Sequence, residues 1–106
     1  MSDQSEQERR RYLRYPPEEL EIALVQFDDR RVGEELFEPE AAGLVLEESR
    51  AGCGLVMLAR AIPDGFGDKS HCVVKVANLG VLRAEVRWMD ATDDKVVRLG
   101  LSYLED

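Results

Sequence analysis

The chain is poor in the residues that most often carry chemistry. It has one histidine and two cysteines, and Phe, Trp and Tyr together make up 7% of its 106 residues. His71 sits beside Cys72 in a segment patterned as a strand, where adjacent side chains point to opposite faces, so the pair builds no metal site. Cys53 and Cys72 are too few for a disulfide framework and lack any CxxC spacing. They are expected as buried thiols that behave as small apolar residues. With no activated Ser or Cys constellation and no metal-ligand cluster, no catalytic centre is expected and the chain reads as a non-enzyme. The scarcity of stacking aromatics also speaks against an oligonucleotide-binding barrel.

Long apolar runs are missing as well. Nothing approaches the roughly 18 consecutive apolar residues of a membrane-spanning helix, and the opening MSDQSEQE has no apolar stretch of a signal peptide. A soluble, cytoplasmic protein without membrane insertion is therefore expected. No amphipathic helical pattern, internal repeat or low-complexity tract is present.

Positive charge is in deficit: 14 Lys and Arg stand against 22 Asp and Glu, for a net charge of −8. Such a chain repels polyphosphate, which disfavours a sequence-independent grip on a nucleic-acid polymer. The deficit is unevenly spread. Residues 1–14 hold four Arg against three acids, whereas residues 15–106 hold ten basic against nineteen acidic residues. The four arginines, Arg9, Arg10, Arg11 and Arg14, fall within six positions.

What is present is mostly period two. Residues 1–18 read as a flexible arm that carries the arginines and is closed by Pro16-Pro17, since each proline biases its predecessor away from helical angles. From residue 19 to 106 the pattern predicts one all-β domain. Strands are expected over 20–27, 42–48, 53–61, 71–77, 82–88 and 97–103, with a long charged connection at 28–40 and a turn-rich loop from Pro63. In the fifth strand Leu82, Ala84, Val86 and Trp88 are expected on one face and Arg83, Glu85 and Arg87 on the other. Leu55, Met57 and Ala59 are expected in the core. Six short strands favour a closed six-stranded antiparallel barrel, because closure removes exposed strand edges. Little or no C-terminal helix is expected.

Two local patterns carry chemistry. The first is RRRYLR at residues 9–14, in which Arg10 and Arg14 are four apart. Guanidinium groups grip phosphate oxygens bidentately, read the O6 and N7 acceptors of guanine, or stack on a base. The second is EESRAGCGL at residues 47–55. Glu47 and Ser49 are two apart at a strand end, and Gly52 and Gly54 permit a tight turn that a ligand can approach closely. A carboxylate only accepts hydrogen bonds, so it suits the N1–H and N2–H₂ donor edge of guanine. Trp88 has two readings: a core residue of the inward row, or a rim aromatic that touches a ligand.

These two patterns, followed by Val86-Arg87-Trp88 and by Arg98-Leu99-Gly100-Leu101-Ser102-Tyr103, resemble the PilZ domain, a bacterial receptor module for cyclic di-GMP. The resemblance spans roughly residues 8–104. Arg10 and Arg14 match the RxxxR motif of that family, and Ser49 and Gly52 match its [D/N]xSxxG motif. Glu47 stands where the family usually has Asp or Asn; it keeps the charge and adds one methylene. The resemblance implies a cyclic di-GMP receptor with no other cofactor, in which Arg10 and Arg14 take phosphates and guanine edges while Glu47 and Ser49 hold a base. Several members with an Arg just before RxxxR, as Arg9 is here, take an intercalated pair of ligand molecules, so the resemblance leaves one or two ligands per chain open. The effect is expected to pass in trans to an unidentified effector protein. The alternative is a PilZ-like adaptor that has lost the ligand and works through protein contacts alone.

Overall fold

A computed structural model describes residues 20–77 and 79–104. The expected arm, 1–18, and its Arg9, Arg10, Arg11 and Arg14 lie outside the described residues. The rest forms β1 (Ile22–Gln26), β2 (Ala41–Glu48), β3 (Gly52–Leu58), β4 (His71–Val76), β5 (Gly80–Ala91) and β6 (Val96–Tyr103). A single 3₁₀ turn at Ala59–Ala61 is the helical content of the described residues. All neighbouring strands are antiparallel and close into a barrel in the order β1-β2-β3-β6-β5-β4. The expected all-β, six-stranded antiparallel barrel is what forms. β1 completes the closure by pairing with both β2 and β4, so no described strand presents a free edge.

Alternation builds the core. Ala23 and Val25 from β1, Cys53, Leu55 and Met57 from β3, Cys72, Val74 and Val76 from β4, Ala84 and Val86 from β5, and Leu99 and Leu101 from β6 are all buried. Ala59 packs against this cluster from the 3₁₀ turn. The connection from β3 to β4 joins two strands that are not neighbours, and it sets Ile62 and Phe66 against the core.

Three details depart from the pattern read in the sequence. The third strand stops at Leu58, because Ala59-Arg60-Ala61 has weak strand propensity and turns instead, with the Ala59 amide donating to the Lys95 carbonyl at 2.8 Å. Val73 is buried along with its inward neighbours; it faces outward in register with Gln26, itself only 2% exposed. The fifth strand does not keep its alternation through Trp88. A register shift between Val86 and Trp88 leaves Arg87 as an extra residue, and such a bulge moves every later side chain to the opposite face. Met89, in register with buried Leu99, takes over the inward role, and Trp88 turns outward with 39% of its surface exposed.

Candidate functional site

The β2–β3 turn is braced by its own serine. The Ser49 amide donates to the Gly52 carbonyl at 2.9 Å, and the Ser49 hydroxyl accepts from the Ala51 amide at 3.1 Å while lying 3.4 Å from the Gly52 carbonyl. This is the local side-chain bonding that makes Ser a turn residue, and it engages the hydroxyl that the sequence had offered to a ligand. Gly52 is required by close approach, since a Cβ there would run into the carbonyl oxygen of Leu101 on β6.

A bulge also shifts β2. The register slips between Val45 and Glu47, and Glu47 then stands opposite Gly54. Gly54 is paired with Gly100 on β6, and Gly100 with Trp88 on β5. Glu47, Gly54, Gly100 and Trp88 thus form one row on the outer face across four adjacent strands. Strand spacing puts the backbones of its two ends about 14 Å apart. The two central positions carry no side chain, and both end residues lie down over them. The Cγ of Glu47 is 3.2 Å from where a Gly54 Cβ would be, and the Trp88 indole lies so close over Gly100 that a Cβ there would fall within 2.5 Å of Cε2. A carboxylate and an aromatic ring are therefore laid side by side on a glycine floor.

Of the candidate residues read from the sequence, Glu47, Gly54 and Trp88 are gathered by the register, while Ser49 and Gly52 belong to the adjoining turn. Gly100 was not among them, although an isolated glycine inside a strand pattern signals close approach of another group. Nor was Glu48, whose register partner Cys53 belongs to the core. Burial, the neighbouring charge of Glu21 and a side-chain hydrogen bond between the two residues raise the Glu48 carboxyl above the usual range. The amide of Val45 donates to the carbonyl of Glu21 at 2.9 Å, so the chain enters the barrel alongside the end of β2 that carries Glu47.

A separate cleft of about 360 Å³ opens where β1 ends and β4 begins, lined in part by Phe27, Asp29, Phe66 and His71. Its rings pack edge to face with centroids 5.0 Å apart. Asp29 is already engaged by His71 at 3.1 Å and by Arg83 at 3.2 Å, and these hydrogen bonds hold its carboxyl below the usual range. Among the described residues no group of three His, Cys, Asp or Glu is placed to hold a metal ion.

Comparison with known proteins returned no match to a family model, to a curated protein or to a solved structure.

Proposed function

We propose that this chain is a PilZ-type receptor that binds cyclic di-GMP on the outer face of its barrel and signals to a protein partner. The observation that carries this reading is the Glu47–Gly54–Gly100–Trp88 row. A purine needs a flat face to stack on and partners for its edge, and the row supplies an exposed indole beside a carboxylate. An acceptor-only carboxylate favours guanine, whose N1–H and N2–H₂ are donors, over adenine, whose N1 is itself an acceptor. The two phosphates require cations, and the arginine motif concentrates four of them within six positions. Arg14 precedes Leu20 by six residues, a reach of at most about 20 Å, and the chain enters beside the end of β2.

In this account Arg10 and Arg14 clamp the phosphates, with Arg9 and Arg11 beside them. Glu47 reads a guanine edge and Trp88 stacks on a base. Ser49 and Gly52 shape the turn beside the ligand, and Gly54 leaves the floor open. Binding ties residues 9–14 to the barrel, which creates a composite surface for an effector. No step of this requires catalysis. An acidic barrel with concentrated arginines selects a compact dinucleotide over a nucleic-acid polymer, from which the remaining charge is repelled.

Calorimetric titration of the full chain with cyclic di-GMP tests the reading, with cyclic di-AMP as control. Saturable heat with cyclic di-GMP, preferred over cyclic di-AMP and lost in Arg10→Ala and Arg14→Ala, is expected. Absence of saturation would leave the adaptor that works through protein contacts alone.

A further inference from the structure

The position of the Glu47 carboxylate has an identifiable cause outside Glu47 itself. A glutamate is one methylene longer than an aspartate and has one more rotor, so at a strand end it would stand farther off the sheet in several orientations. Here it does not stand off. The three heavy atoms nearest to the point where a Gly54 Cβ would lie are all from Glu47: Cγ at 3.2 Å, Oε1 at 3.6 Å and Cδ at 3.9 Å. The side chain of Glu47 is thus laid back over Gly54 on β3. The β2 bulge brings the two into register, and Gly100 leaves the next position open.

We propose that Gly54 is the positioning residue for the guanine-reading carboxylate, and that glutamate at 47 and glycine at 54 work as a matched pair. This rests on the receptor reading above and adds to it a determinant of base selectivity. A side chain at 54 displaces the carboxylate from the floor, because the three heavy atoms nearest the new Cβ all belong to Glu47. The size of the effect follows the size of the intruder. An alanine Cβ obliges Glu47 to yield by a few tenths of an ångström, whereas the branched carbons of valine occupy the place where its methylene and carboxylate now lie.

The test uses the full chain and measures affinity for cyclic di-GMP and cyclic di-AMP in the wild type, Gly54→Ala, Gly54→Val, Glu47→Gln and the Glu47→Gln/Gly54→Val double variant. Valine suits a strand position, and melting curves confirm that each variant folds. Expected are a loss of about threefold for alanine and about tenfold or more for valine with cyclic di-GMP, a narrowed preference over cyclic di-AMP, and a strongly non-additive double variant. Wild-type binding that Gly54→Val leaves unchanged, or weakens equally for both dinucleotides, overturns the pairing and spares the receptor. No wild-type binding overturns the receptor itself. A crystal structure of unliganded Gly54→Val gives a readout free of ligand: a Glu47 carboxylate still lying over β3 refutes the proposal, and one turned away from Trp88 supports it.

Discussion

Replacing Gly100 by alanine is the smallest change that should dismantle the row. Gly100 lies mid-strand in β6, paired on one side with Gly54 and on the other with Trp88, so its backbone has no freedom to retreat. An added Cβ would collide with Nε1 of the indole and sit 2.5 Å from Cε2 and 2.9 Å from Cδ1. The ring is rigid and must swing off the sheet. Trp88 is 39% exposed, so somewhat more than half of its surface is covered. Aromatic side chains bury on the order of 150–250 Å² when enclosed, and uncovering about 100 Å² costs about 2.5 kcal/mol at about 25 cal/mol per Å². Alanine returns about 0.5–1 kcal/mol through the lower backbone entropy of its unfolded chain. The net expectation is about 1.5–2 kcal/mol of lost stability, a drop in Tm of roughly 6–16 °C for a domain of this size. Trp88 is the sole tryptophan, so its emission reports the ring directly. A red shift on Gly100→Ala should accompany the lower Tm, while Gly67→Ala, where a Cβ would meet nothing within 4 Å, serves as the control. An unchanged emission maximum with an unchanged melting curve would refute the close packing of the indole on β6.

Gln26 is buried and pins the connection after β1: its Oε1 accepts from the Glu38 amide at 2.9 Å, and its Nε2 donates to the carbonyls of Asp28 at 3.1 Å and Arg31 at 3.0 Å. Gln26→Leu should cost about 2–3 kcal/mol and expose the Glu38 amide to rapid hydrogen exchange; continued protection of that amide would contradict the staple. The raised Glu48 carboxyl means that the folded protein holds a proton there more tightly than the unfolded chain. This contribution to stability is present below the ordinary glutamate range and is lost as pH rises through the raised value. Denaturation at pH 5 and pH 8 should therefore show a smaller loss at high pH in Glu48→Gln than in the wild type, and equal losses would count against a carboxyl raised by burial and by Glu21. Burial pushes the Cys72 thiol up to about 12, so labelling by a thiol reagent should require global opening of the barrel. Rapid labelling of the native protein would place that thiol outside the core.

The barrel was legible because a closed sheet with one dry face favours alternation, and Cys72, Val74, Val76 and Leu99, Leu101 all lie in the core as that pattern places them. The core reading of Trp88 failed for a definite reason, whereas its reading as a rim aromatic agrees with its outward position. Whether Arg87 forms a bulge depends on how β5 pairs with β6, information that alternation along one strand does not carry. The same holds for Leu46, whose bulge aligns Glu47 with Gly54. The candidate site was thus readable as residue types at a turn, while the row that joins Glu47 to Trp88 spans residues 47 to 100 and exists only once four strands are in register. The long connection at 28–40 was visible in its charge and its glycine, but its attachment through Gln26 was not, because a lone glutamine in a strand pattern gives no sign that it faces a loop.

Binding of cyclic di-GMP over the glycine row can be followed residue by residue in an NMR titration of the isotopically labelled full chain. Saturable shifts concentrated at Glu47, Gly54, Gly100, the Trp88 indole N–H and the side chains of Arg10 and Arg14 are expected. No shifts up to about 100 μM ligand, or shifts centred on Phe27, Phe66 and His71, would contradict binding over the row.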